Sequence, residues 1–317
     1  MRLSRRLSFA MPILSYLQPR DCPICGANAA SGIPFLDRRI DADRLNEYSF
    51  ASRKLPEYMR FTLLRCPECD VVYACESPSE SAIGHAYHAA AYDSKQEAID
   101  AAETYERALM RHFTPMTDRR GALEIGTGTG VFLQRMRVHG FTGVVGVEPS
   151  RAAVDAADLD IKPCIREEMF CADHFETASL SLISCFMTLE HVAEPAALIR
   201  ECFHLLRPGG LIACVVHDWR AWNNRVLGRR SPIVDIEHLQ LFSKASVREL
   251  YGRSGFVDIE CRSFWNRYRI DYWNRLLPTP SFLKRGLAIA LRRTRVGRVR
   301  LPMNVGNLMV VRHKEGR

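Results

Sequence analysis

The run Ala122-Leu123-Glu124-Ile125-Gly126-Thr127-Gly128-Thr129-Gly130 constrains this chain more than any other stretch. Its first four residues suit a short buried strand, and Val131-Phe132-Leu133-Gln134-Arg135-Met136 reads as a helix. Between them, glycines let the backbone turn sharply and approach a ligand, while the free N–H groups of the helix N-terminus point at its negative end. The spacing is G-x-G-x-G, not the G-x-G-x-x-G of dinucleotide enzymes. A second strand, Gly143-Val144-Val145-Gly146-Val147, ends in Glu148. An acid there, about 20 residues past the glycines, is placed to accept hydrogen bonds from ribose hydroxyls.

Further strands alternate with helices in the manner of an α/β sheet. The third strand is expected around Ile161 to Ile165 and the fourth at Leu180–Phe186, followed by the loop Leu189-Glu190-His191-Val192-Ala193-Glu194-Pro195. A helix from Ala196 to Leu206 stops at Arg207-Pro208-Gly209-Gly210, and Leu211–Val216 makes the fifth strand. Gly255–Glu260 reads as the sixth, and Asn307–Val311 as the last.

On these residues the chain resembles the class I S-adenosylmethionine-dependent methyltransferases, from residue 121 to the end. The resemblance implies a Rossmann-like seven-stranded sheet and S-adenosylmethionine as cofactor. It implies that Gly126, Gly128 and Gly130, with Glu124 beside them, line the methionine portion, that Glu148 holds the ribose, and that Glu167 and Glu168 lie near adenine, the alternative for this acidic pair being a solvated surface. A helix ahead of the first strand, around Ile99–Tyr105, would roof the pocket, so Tyr87 and Tyr92 either touch the cofactor or pack in the core.

Cys22-Pro23-Ile24-Cys25 and Cys66-Pro67-Glu68-Cys69 form two C-x-x-C knuckles. Two such turns supply four thiolates in a tetrahedral array, the closed arrangement of a structural zinc site. Residues 20–78 are therefore expected to form a zinc-ribbon-like module, and residues 79–317 the catalytic domain. Cys164, Cys171, Cys185, Cys202, Cys214 and Cys261 scatter through apolar segments, the pattern of a reduced, cytoplasmic protein. Met1 to Leu17 imitates the basic and apolar regions of a signal peptide, but no small-residue cleavage site follows before the metal-type cysteines.

Methyl transfer is an in-line displacement that needs an aligned acceptor and, for a hydroxyl, a proton acceptor. His191, His217 and His238 are the candidates, with Glu237 able to orient or charge-tune His238. Each could equally serve structure, for instance by capping a helix or tying a loop. The cysteine pairs with the later Glu237-His238-Leu239 are similar to bacterial sugar methyltransferases. In the sugar C-methyltransferases of that group a Tyr-x-x-Glu-His-Leu stretch is catalytic; here Val234 stands at the tyrosine position, and nothing matches their extra C-terminal domain. The resemblance thus implies O-methylation of a sugar, nucleotide-sugar or surface-polysaccharide precursor. Glu190-His191 also resembles quinone-type O-methyltransferases. An RNA methyltransferase and a non-catalytic cofactor-binding scaffold are further alternatives.

The net charge of +8 resides largely between Lys284 and Arg300, which includes seven basic residues and no acid. This basic stretch belongs to an insertion expected at 264–302, with Trp265, Tyr268, Tyr272 and Trp273 nearby. A basic amphipathic helix with aromatics suits an anionic membrane surface or a lipid-linked acceptor; the alternative is a packed helix with solvated arginines. The basic residues between 22 and 75 are interleaved with acids, which argues against a nucleic-acid partner.

Overall fold

In the computed structural model, residues 13–14, 16–51, 56–276, 281–294 and 296–315 are described. Most of the signal-like N-terminus, and the side chains of Lys284, Arg285 and Arg292, lie outside that set. The N-terminal part is built of short strands: β1 (Leu17–Pro19), β2 (Ile33–Leu36), β3 (Leu63–Arg65), β4 (Val72–Ala74) and β5 (Glu76–Pro78). Two helices follow, α1 (Glu80–His88), capped by the Ser79 side chain, and α2 (Lys95–Phe113). Then come β6 (Arg120–Ile125), α3 (Val131–Val138), β7 (Thr142–Val147), α4 (Arg151–Asp155), β8 (Ile165–Arg166) and β9 (Leu180–Phe186). The chain continues through α5 (Pro195–Leu205), β10 (Leu206–His217), α6 (Trp222–Leu227), β11 (Gln240–Leu241) and α7 (Lys244–Arg253). It ends with β12 (Glu260–Arg269), α8 (Ile270–Leu276), α9 (Ser281–Thr294) and β13 (Arg300–His313).

The seven-stranded sheet has the order β12-β13-β10-β9-β6-β7-β8. Strands β10 to β8 run parallel, and β13 lies antiparallel between β10 and β12. All of β9 is buried, because helices cover both faces of a parallel sheet. On one face α2 buries Ala101, Ala102, Tyr105, Leu109 and Phe113 at helical spacing, against Phe132, Met136 and Phe141. On the other, Leu198, Ile199 and Cys202 of α5 meet Val247, Leu250 and Tyr251 of α7. Strand order reverses between β6 and β9, and ligands of such sheets sit in the crevice beyond the carboxyl ends at that point.

Several elements differ from the sequence expectation, among them β10, which starts at Leu206 and takes in the expected turn Arg207–Gly210. The third strand holds only Ile165 and Arg166, because Lys162-Pro163-Cys164 winds into a 3-10 turn. Residues 255–259 are not a strand: Gly255 and Asp258 take left-handed backbone, with φ of 99° and 47°, so β12 starts at Glu260. The last two strands are much longer than expected, and 264–269 and 300–302 extend their hairpin. The helical insertion therefore spans 270–299 instead of 264–302.

A second sheet, β11-β4-β3-β2, joins the two halves of the chain. Gln240 and Leu241 pair with Tyr73 and Val72. Around it a third core combines Leu45, Phe61 and Leu63 with Ile233, Ile236 and Leu239.

Candidate functional site

A cavity of about 930 Å³ opens at the strand reversal. Its near end is the glycine bend. Gly126, Gly128 and Gly130 adopt φ of +74°, +57° and +71°, a region open to glycine at little cost. A Cβ at Gly126 would stand 2.3 Å from Thr188 Oγ1, and one at Gly130 would stand 2.9 Å from Ile165 Cδ1, so both serve close packing. A Cβ at Gly128 would meet nothing within 4 Å, so it is the cradle facing the cavity. Glu148 accepts hydrogen bonds from the amides of Gly128 (2.8 Å) and Ser150 (2.9 Å), and buried Glu124 accepts from Thr127 Oγ1 at 2.5 Å.

Glu124, Gly126, Gly128, Glu148 and Glu168 all line the cavity, whereas Gly130 and Glu167 are not on its wall. Glu167 faces His88 at 3.6 Å, and Glu168 pairs with His174 at 3.1 Å. Tyr87 and Tyr92 do line the cavity, and their hydroxyls, like that of Thr129, are buried without a protein partner. Buried polar atoms left unpaired cost about 1–3 kcal/mol each, so these three fit a polar ligand in the cavity. The wall formed by Met169, Phe170, Cys171 and Ala172 was not singled out in the sequence, because it belongs to a loop without periodicity.

Another part of the wall brings together three histidines from separate elements. The His191 and His238 rings lie 4.9 Å apart, and His217 and His238 5.2 Å apart. Each Nδ1 is tied: His191 to the Glu237 carbonyl (3.0 Å), His238 to the Ile233 carbonyl (2.8 Å), and His217 to Asn307 Oδ1 (2.9 Å). These bonds fix the ring planes and turn each Nε2 edge away from its anchor. Glu237 Oε1 stands 3.8 Å from His238 Nε2. Burial pulls the His217 pKa down to about 4, so it is neutral near pH 7.

Glu190 lies beneath this cluster, fully buried. Its Oε1 accepts from the His217 amide at 2.6 Å, while Oε2 has no partner. Burial lifts its pKa to about 7, against the opposing pull of His191 and the His217 amide. Gln240 escaped the sequence reading entirely. Its side-chain amide donates to the carbonyls of Leu189 and Val192 (2.8 Å to the latter), which holds the His191 loop.

The four cysteines of the knuckles converge as expected, with all Sγ atoms within 4.8 Å of one another. Cys22 and Cys69 are 3.4 Å apart, and Cys25 and Cys66 3.5 Å. A tetrahedral zinc thiolate site, with bonds of about 2.3 Å, separates its sulfurs by roughly 3.8 Å, so this donor set fits zinc after a small expansion.

Among known proteins, the chain is similar to the ubiquinone biosynthesis O-methyltransferase of Neisseria meningitidis, 31% identical over 106 residues, which is 30% of this chain and 44% of that one. The enzyme of the same description from Ralstonia nicotianae is 31% identical over 102 residues, covering 30% and 42%. The chain thus spans less than half the length of these curated relatives. A solved S-adenosylmethionine-dependent methyltransferase of Thermotoga maritima is 16% identical, over 69% of this chain and 91% of that one, with a TM-score of 0.46. The family model described as a methyltransferase domain matches residues 92–260, more than half of the chain. That span holds the glycine bend, Glu148 and all three histidines, and the chain belongs to the methyltransferase-domain family.

Proposed function

We propose that the chain methylates a hydroxyl group of a small, ring-bearing acceptor seated against His191, His217 and His238. The observation that carries this reading is the convergence of three anchored imidazoles on the wall of the cavity that the glycine bend also lines. Bound S-adenosylmethionine supplies a methyl group on a sulfonium. In the transfer an O–CH3 bond forms as the S–CH3 bond breaks. His238 takes the hydroxyl proton, and the Glu237 carboxylate beside it stabilises the imidazolium. His191 and neutral His217 align the acceptor oxygen. Gly126, Gly128 and Glu124 hold the methionine portion of the cofactor, Glu148 the ribose, and Glu168 the adenine side.

A phenolic ring of the quinone-precursor type is the favoured acceptor. The relatives' descriptions point that way, and Tyr105 stacked on Phe186 at 4.2 Å offers a flat apolar wall. A sugar is the second reading, supported by Asn223 and Asn266, which line the same cavity with side-chain carbonyls that are buried and unpartnered. Labelled methyl transfer to a panel of catechol-type phenols and deoxysugar glycosides tests both. Transfer to phenols alone supports the first reading, transfer to sugars alone the second, and transfer to neither overturns both.

The module at 20–78 is read as a zinc-bearing scaffold and 79–317 as the catalytic domain. Among the described residues no helix is long and apolar enough to cross a membrane. The cavity mouth nevertheless carries Trp222 and Val226, 75% and 76% exposed. Exposed Arg225, Arg229 and Arg230 flank them, and elsewhere α9 and its exit carry exposed Leu287, Ile289, Arg293 and Arg298. Apolar tips among cations suit an anionic bilayer surface. Flotation with anionic liposomes should show binding at low salt that high salt releases; no binding at low salt refutes it.

A further inference from the structure

The cysteine module reaches the acceptor end of the cavity through residues that neighbour its cysteines in the chain. Asp70 directly follows Cys69, and Arg20 stands two residues before Cys22. The Asp70 carboxylate receives both Nε (2.5 Å) and Nη2 (2.6 Å) of Arg220. Its carbonyl accepts from Trp219 Nε1 at 3.0 Å and Ser243 Oγ at 3.5 Å. The Arg20 guanidinium is buried and donates to the Leu239 carbonyl (3.2 Å), Gln240 Oε1 (2.8 Å) and the Ala193 carbonyl. The amide of Ala74 adds a bond to the Leu239 carbonyl at 2.8 Å.

These contacts grip the segment 218–243 at both ends, and Glu237 and His238 lie between the grips. Gln240 passes the hold on to the His191 loop. The glycine bend has hydrogen bonds of its own, from Gly126 and Thr127 to the Val147 carbonyl, from Thr127 to Glu124 and from Gly128 to Glu148, and it meets the core that holds Cys22, Cys66 and Cys69 through the apolar side chains of Leu123, Ile125 and Val147. Asp70 has left-handed backbone, φ +66°, in a turn closed by its amide on the Cys66 carbonyl (3.1 Å). A non-glycine residue holds such a conformation only where its surroundings impose it, and four thiolates on one ion would close this turn.

We propose that the metal module sets the acceptor end of the cavity and not the cofactor end, with Asp70 and Arg20 as positioning residues that transmit metal occupancy to Glu237 and His238. The inference rests on the assignment of those two residues to the acceptor end. Its readout does not require methyl transfer, so the two can fail separately.

The test is hydrogen exchange by mass spectrometry on the full chain, zinc-loaded and chelator-stripped, with adenosylhomocysteine titrated in both states. Amides of Trp219 and of 239–243, which bond to the Phe242 and Glu190 carbonyls among others, are expected to exchange on the order of 10-fold faster without zinc. Amides of 123–128 and 182–186 should be unchanged, and the adenosylhomocysteine Kd should move by less than about twofold. Unchanged exchange at 239–243 overturns the proposal. So does equal loss of protection at 123–128, which would make the metal a support of the whole sheet. Asp70→Ala with its zinc retained should reproduce the faster exchange at Trp219 and not that at 239–243, and wild-type exchange at Trp219 removes Asp70 from the account.

Discussion

The two ends of the cavity are built on different plans. The part read as the cofactor site has a contiguous centre: one strand, one bend, one helix and the tip of the adjacent strand place Glu124, Gly126, Gly128 and Glu148 within 25 residues, with Glu168 added from the loop after β8. The part proposed for the acceptor is assembled from the loop after β9, the end of β10 and the segment before β11, with Tyr87 of α1 edge-on to His191 at 5.8 Å. A contiguous site is fixed by local backbone geometry. A dispersed one depends on everything that holds its pieces, here Arg20, Asp70, Gln240 and Glu190.

The sharpest way to break this contrast is to damage one end and read both. His238→Ala should lower kcat by about 10²- to 10⁴-fold, the range for a general base, while calorimetry with adenosylhomocysteine finds an unchanged Kd. Weakened cofactor binding would show that the ends are not separable.

Glu190→Gln probes the buried support of the acceptor end through pH. Between its ordinary value of 4.5 and about 7, Glu190 is protonated in the folded chain and ionised in the unfolded one. Its contribution to stability therefore falls as pH rises through that window, to a cost of about 3 kcal/mol above it. His217 works the other way: its folded pKa of about 4 lies below 6.5, so its contribution grows as pH rises from 4 to 6.5. Urea titrations should find Glu190→Gln more stable than wild type at pH 8 and equal to it at pH 4. Equal stability at both would mean that Glu190 is not held neutral by burial.

At the cofactor end, Glu148→Ala should raise the Kd for S-adenosylmethionine roughly 50-fold, as expected for loss of charge-assisted hydrogen bonds. It should leave hydrogen exchange at 239–243 unaltered. Smallest is the pair that sequence could not separate: Glu168→Ala should weaken cofactor binding about fivefold, and Glu167→Ala by less than about twofold, because only Glu168 is on the cavity wall. The reverse order would relocate the adenine side.

The same division explains what was legible in the sequence. The glycine bend, β9 and the knuckles were readable because short-range chemistry specifies them: alternate glycines, an all-apolar run, paired cysteines. The short β8 and late β12 were not, since Pro163 and the left-handed Gly255 and Asp258 override apolar content. The histidines could be named, but not their clustering. Gln240, Asp70 and Arg20 gave no signal at all, because their roles exist only once residues far apart in the chain are brought into contact.

The most direct test of the central claim is calorimetry of the zinc-loaded chain with S-adenosylmethionine and adenosylhomocysteine, beside Glu148→Ala. One site per chain for each ligand, weakened in the variant, is the predicted result. Absence of measurable binding to either ligand by intact protein would contradict it.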